Sequence, residues 1–391
     1  MRLIDRYLKE TITHRASDLH IASTEPLRLR IDGDLVRLGD DEPSAADVQA
    51  MIFEMLSESE QKKCLENKNL DKAYSVPGIG NFRVNVFFTK HGMAATIRAI
   101  PNSVPALETL GLPDTIPRLL ESTQGGLILV TGPTGSGKST TIASMIDYLK
   151  HRFPFHILTI EDPIEYVHES GMSLVNQREI GTSCKSFADA LKYALREDPD
   201  VILVGEMRDL ETIALALTAA ETGHLVLATL HTRGAAQSID RIIDSFPANQ
   251  QAMVRTMLAE SLKAVVSQQL IRRAQGSGRV AAYEVMIVNH AVMNLIREGK
   301  TFQIPSIMQT GRKDGMMLMD QSVRDLILNG LINEEELNSS AREMPMAIKR
   351  SMEIPSARPV PRIPTVPVGN PDTRPQRSPP PLKGLPPKKT G

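Results

Sequence analysis

Residues 132–139 read Gly-Pro-Thr-Gly-Ser-Gly-Lys-Ser, the G-x-x-x-x-G-K-S spacing that holds phosphate. The glycines let the backbone curl so that its N–H groups converge on an anion. Lys138 is placed to reach β- and γ-phosphates, and Ser139 to hold Mg²⁺. The run just before, Leu127-Ile128-Leu129-Val130, is a short buried-strand pattern, and a helix is expected from near Ser139. Strand, loop and helix in that order predict a nucleotide site for ATP or GTP. Its contacts would come from Gly132, Pro133, Thr134, Gly135, Ser136, Gly137, Lys138, Ser139 and Thr140.

Three further strands end in groups that could act on a bound nucleotide. Ile157-Leu158-Thr159-Ile160 runs into Glu161-Asp162-Pro163-Ile164-Glu165. Ligands of an open α/β sheet sit beyond the carboxyl ends of its strands, so Glu161 is expected to face the γ-phosphate. A carboxylate there can orient or deprotonate the attacking water. A solvated strand-end loop explains Asp162 and Glu165 equally well. Val201-Ile202-Leu203-Val204-Gly205-Glu206 resembles a Walker B strand, with Glu206 where Asp is commoner. Glu206 would hold Mg²⁺ through water or help to position the nucleophile, while Arg208 and Asp209 fit a local ion pair. A third strand lies between His224 and His231, and His231 at its carboxyl end could sense the γ-phosphate. Arg83 and Arg98 sit on two strand candidates nearer the N-terminus. A strand arginine is ordinarily a solvated outer-face residue; the alternative is an arginine finger, and spacing leaves both open.

The elements that must position these groups fall into segments. Apolar residues at helical spacing predict a helix over 2–14. Alternation over 27–38 around Asp32-Gly33 predicts a hairpin, a helix is expected over about 45–66, and strands over 81–88 and 93–100. Residues 1–100 thus read as a small α+β domain. Prolines 101, 105, 113 and 117 mark 101–117 as a linker and hinge. From 118 to 290 apolar strands (127–131, 156–161, 200–205, 224–230) alternate with helices, which implies a parallel sheet with crossover helices. After about 250 the chain reads as helical, apart from a strand at 279–287, and 291–351 reads as a helical subdomain. Residues 355–391 hold 12 of the 26 prolines, so 352–391 is expected to be a disordered basic tail.

Composition narrows the classes. The 391 residues carry a net charge of −1, and aromatics are 4% with no Trp, which argues against a nucleic-acid partner. The tail carries +5, leaving −6 for residues 1–351. Cys64 and Cys184 are too few for a disulfide framework or a four-cysteine zinc site. No apolar run reaches the ~20 residues of a membrane helix, and charges interrupt the N-terminal stretch where a signal sequence would be apolar. A cytoplasmic protein is expected, with zinc and metal-ligand histidine spacing both absent.

Together these segments, over about 1–350, resemble the secretion-type ATPase superfamily, and within it the type IV pilus retraction motors. Ala16-Ser17-Asp18-Leu19-His20-Ile21 with Arg30-Ile31-Asp32-Gly33-Asp34 is similar to the family's N-terminal signature. Glu161–Glu165 resembles its Asp box, Val204–Asp209 its Walker B ending in Glu, and Thr222–Thr232 its His box. The resemblance implies a RecA-like ATPase domain behind a PAS-like N-terminal domain, with Glu161 as catalytic base and Arg83 and Arg98 as phosphate-contacting arginines. It also implies a homohexamer that turns an inner-membrane platform protein, with a paralogous retraction ATPase as a further partner. Residues 291–298 read Ala-Val-Met-Asn-Leu-Ile-Arg-Glu against the retraction motors' Ala-Ile-Arg-Asn-Leu-Ile-Arg-Glu, so Met293 replaces an arginine. A secretion or DNA-uptake ATPase, and a nucleotide-gated accessory scaffold with little turnover, are the alternatives.

Overall fold

The computed structural model describes residues 2–333 apart from 32, 101–102, 122–124 and 276–277. The expected tail, 352–391, and positions 334–351 of the expected helical subdomain lie outside the described residues.

Helix α1 spans Leu3–Thr13, where Ile4 and Leu8, one turn apart, are fully buried. Strands β1 (Asp18–Ala22), β2 (Arg28–Ile31) and β3 (Asp34–Arg37) follow. The expected single helix over 45–66 is two helices, α2 (Ala45–Phe53) and α3 (Glu58–Asn67). The break has a local cause: Ser57 and Glu60 form a capping box, which starts a new helix at Glu58. Then come β4 (Asn69–Val76), β5 (Gly80–Thr89) and β6 (Gly92–Ile100), in a six-stranded sheet ordered β3-β2-β1-β6-β5-β4. Phe82, Val84 and Val86 of β5 point into a core with Ile4, Leu8, Val48 and Ile52. By the period of two, Arg83 and Asn85 take the opposite face. Arg98 of β6 is in register with Arg83 on one side and Asp18 on the other.

The stretch read as a linker carries packed structure. Leu107 opens a short 3₁₀ turn and Ile116 lies on α4 (Thr115–Glu121), and both are buried. They join the core beneath the second sheet. Strand β7 (Gly126–Thr131) leads to α5 (Lys138–Lys150), and Ser144 of α5 donates to the Pro105 carbonyl at 2.7 Å. The chain continues through β8 (His156–Glu161), β9 (Leu174–Glu179), α6 (Phe187–Ala194), β10 (Val201–Val204), α7 (Leu210–Glu221), β11 (Leu225–Leu230), α8 (Ala235–Asp244) and α9 (Gln251–Ser261). It ends in the hairpin β12 (Leu262–Arg272) and β13 (Arg279–Ile287), then α10 (His290–Arg297), α11 (Ile304–Thr310) and α12 (Met319–Leu328).

The second sheet is ordered β13-β12-β7-β11-β10-β8-β9, and only β13 runs antiparallel to its neighbour. All six residues of β7 are buried, because helices cover both faces. Leu127 and Leu129 face one core, Ile128 and Val130 the other. Two strands of this sheet escape a reading of the sequence, as do β1 and β4 of the first. β9 carries polar residues along a sheet edge, and β12 was read as helical because a buried apolar run has no period of its own. The parallel order matters for chemistry: β7, β8, β10 and β11 all release their carboxyl ends along one edge.

Candidate nucleotide site

The phosphate loop hangs between β7 and α5. Gly132, Gly135 and Gly137 all have positive φ, and at Gly132 a Cβ would strike the Gln268 carbonyl of β12. From the same strand Gln268 Nε2 donates to the Ser136 carbonyl at 2.7 Å, so β12 buttresses the loop. Lys138 is buried, and its Nζ donates to the carbonyls of Gly132 (2.8 Å) and Pro133 (3.1 Å). Burial pushes its pKa down, partly offset by Glu206 and Glu165. Ser139 and Thr140 open the helix, and Thr140 Oγ1 shares a 2.8 Å hydrogen bond with the Tyr166 hydroxyl.

A cavity of about 430 Å³ opens above this loop. Its lining joins Lys138, Ser139, Glu161, Glu206, His231 and Arg98. Thr134, Gly135, Gly137 and Thr140 line it too, whereas Gly132, Pro133 and Ser136 shape the loop from behind. Arg83 is not in the lining; it stands one strand further off, across from Arg98.

Each charge has its own environment. Glu161 sits at the end of β8, and burial raises its pKa. Donors from Thr159 (2.7 Å), Gln177 (3.1 Å) and the Glu165 backbone restrain the rise. Burial also pushes the Glu206 carboxyl up, but Arg208 at 2.7 Å and His231 at 3.2 Å outweigh it and hold it below the usual carboxylate range. Glu206 is therefore anionic at neutral pH and Glu161 is the more easily protonated acid. Arg208 and Asp209 do not pair with each other: Arg208 takes Glu206, and Asp209 caps α7 by accepting from the Thr212 backbone at 2.9 Å. Arg98 donates from Nε to Asp18 at 2.9 Å, where Asp18 is buried and the arginine largely exposed. His224 stays at the other end of its strand, near the Ala219 carbonyl, away from the cavity.

Several lining groups had no sequence signal. Tyr166 and His168 come from the loop after Glu161, and Leu270 and Arg279 from the β12–β13 hairpin, more than 130 residues beyond the phosphate loop. Ser139 and the ionised Glu206 supply hard oxygen donors to one cavity, a set that fits Mg²⁺ beside phosphates.

Residues 1–339 match the family described as type II/IV secretion system protein. The chain belongs to that family. Its relatives within the family include a twitching motility protein of Neisseria gonorrhoeae, 52% identical over 84% of this chain and 87% of that one. A type IV pilus retraction ATPase, PilT, of Pseudomonas aeruginosa is 51% identical over 84% of this chain and 94% of its own. A crystal structure of the pilus retraction motor PilT with bound ADP superposes with a TM-score of 0.82 at 48% identity, covering 90% of this chain and 99% of that one. The RecA-like α/β reading of the fold rests on that likeness as well as on the sheet order. Among the described residues no helix is long and apolar enough to cross a membrane.

Proposed function

We propose that this protein hydrolyses ATP and uses the energy to retract type IV pili. The observation that carries the reading is the meeting in one cavity of Lys138, from the start of the helix after β7, with Glu161 and Glu206, from the ends of β8 and β10. Similarity to the retraction ATPases, over most of both chains, supports the cellular role.

The triphosphate lies against the backbone N–H groups of 134–140, and Lys138 exchanges its two loop carbonyls for phosphate oxygens. Ser139 and Glu206 are the residues that would hold Mg²⁺, which would supply charge neutralisation on the phosphates. Glu161 orients a water and accepts its proton; burial raises its basicity for that step. His231, next to Glu206, reports whether the γ-phosphate is present. Arg98 lines the cavity from the N-terminal sheet, and closure of that sheet over the nucleotide brings Arg83 in after it. Six copies form a ring against an inner-membrane platform protein on the cytoplasmic side.

Lys138→Ala is expected to abolish nucleotide binding, while Glu206→Gln binds ATP and hydrolyses it slowly. Wild-type turnover by Glu206→Gln would remove the site assignment. Cells lacking the gene should carry extra surface pili and lose twitching, both reversed by a complementing copy. A second reading has one observation behind it: Met293, in place of arginine, is partly buried against the larger core from α10. Unchanged pilus numbers would favour a secretion motor or an accessory subunit.

A further inference from the structure

β9 does more than extend the sheet. Its residues 177 and 179 lie on one face and reach over the end of β8 to the loop that follows it. Glu179 Oε2 accepts from the Ile164 backbone at 3.1 Å. Gln177, in register with Thr159, uses all of its amide. One Nε2 proton goes to Glu161 Oε1 at 3.1 Å and the other to the Tyr166 carbonyl at 2.8 Å, while Oε1 accepts from the His168 backbone N–H at 2.8 Å. Two acceptors on one side and a donor on the other fix which way the amide points; a flip would set oxygen against oxygen twice and N–H against N–H. Thr159 completes the arrangement, donating to the same Glu161 oxygen.

We infer that Gln177 is a positioning residue for ATP hydrolysis: it holds the Glu161 carboxylate in one orientation and ties it to the 164–168 loop. That loop touches the phosphate-loop helix through Tyr166 and Thr140. The base and the phosphate-binding helix thus share one hydrogen-bonded frame, with Gln177 at its centre. No other side chain fits: glutamate has the reach but loses both donors and faces a carboxylate, and asparagine is one methylene short. Gln177 does not line the cavity, so its effect passes through Glu161. The inference rests on the reading of Glu161 as the base.

The test is steady-state ATP hydrolysis and binding of a fluorescent ADP analogue by the full chain as Gln177→Met, Gln177→Glu and Glu161→Gln. Losing a hydrogen bond to a charged group, with the base left free to turn, should lower kcat about 10- to 100-fold. KM for ATP and ADP affinity should stay within about twofold of wild type. Gln177→Glu, which keeps the His168 contact and so the local fold, should be at least as slow as Gln177→Met. Wild-type kcat in both Gln177 variants overturns the inference, and so does a joint loss of turnover, ADP affinity and thermal stability, which marks a merely structural role. If Glu161→Gln hydrolyses at the wild-type rate there is no base to position and the functional reading falls with it. If Glu161→Gln is inactive but the Gln177 variants are not, only the inference about Gln177 falls.

Discussion

Lys138, Glu161 and Glu206 face one cavity from three different environments. Lys138 leans on its own loop's carbonyls, Glu206 is bracketed by Arg208 and His231, and Glu161 is buried but fed by three donors. His168 has no such help. It is buried, its Nδ1 has no partner among the described residues, and burial with Lys150 nearby pushes its pKa from 6.5 down to about 4. The unfolded chain takes up this proton near pH 6.5 and the folded protein only near 4. The stability His168 contributes is therefore present above 6.5 and lost as pH falls through that interval. At about 1.4 kcal/mol per pH unit the loss is of order 2–3 kcal/mol. Denaturant unfolding at pH 7 and 4.5 should show it in wild type and not in His168→Phe; equal losses in both would assign the acid sensitivity to other groups.

At the scale of elements, the site is a set of strand ends fastened from outside. β12 fastens the phosphate loop, β9 the loop after Glu161. Gln268→Leu leaves the buried Ser136 carbonyl without its donor, a cost of about 1–3 kcal/mol. Part of that cost should appear as ADP affinity weakened about 5- to 30-fold, read by titration; unchanged affinity would show that the loop holds its shape without β12. Sequence reading worked at the four strand ends, where apolar runs stop at Gly132, Glu161, Gly205-Glu206 and His231. It failed on both fastening strands. β9 alternates weakly and lies at an edge, and β12 is buried on both sides, so neither shows a period that separates strand from helix. Gln177 and Gln268 were invisible for a related reason: an amide's worth depends on what it meets across strands, and one-dimensional spacing does not record that. The α2–α3 break, by contrast, is legible in Ser57 and Glu60, a capping box three residues apart.

At the scale of the molecule, two sheets of different kinds meet at one cavity. The second lines it with the phosphate loop, Glu161 and Glu206; the first adds Arg98, held at Nε by Asp18. Arg98→Ala is expected to cut turnover about 1,000-fold or more, the scale of an arginine finger, with ADP affinity little changed. A parallel fall in ADP affinity would make Arg98 a binding residue instead. The two sheets were legible in the sequence, because mixed strands and helices give way near residue 118 to strand–helix alternation. The extent of the linker was not, since prolines at 113 and 117 suit a turn and a helix start as well as a flexible joint.

That last point limits how the machine can move. With Leu107 and Ile116 anchored in the ATPase core, the chain that joins the two sheets shrinks to residues 101–106. Such a leash reaches at most about 25 Å even when taut. The first sheet can swing but cannot wander from the second, so any closure over the cavity is a rotation about this short tether. It also leaves little slack: a load on the N-terminal sheet reaches the floor of the catalytic core after six residues, with almost no chain to stretch on the way.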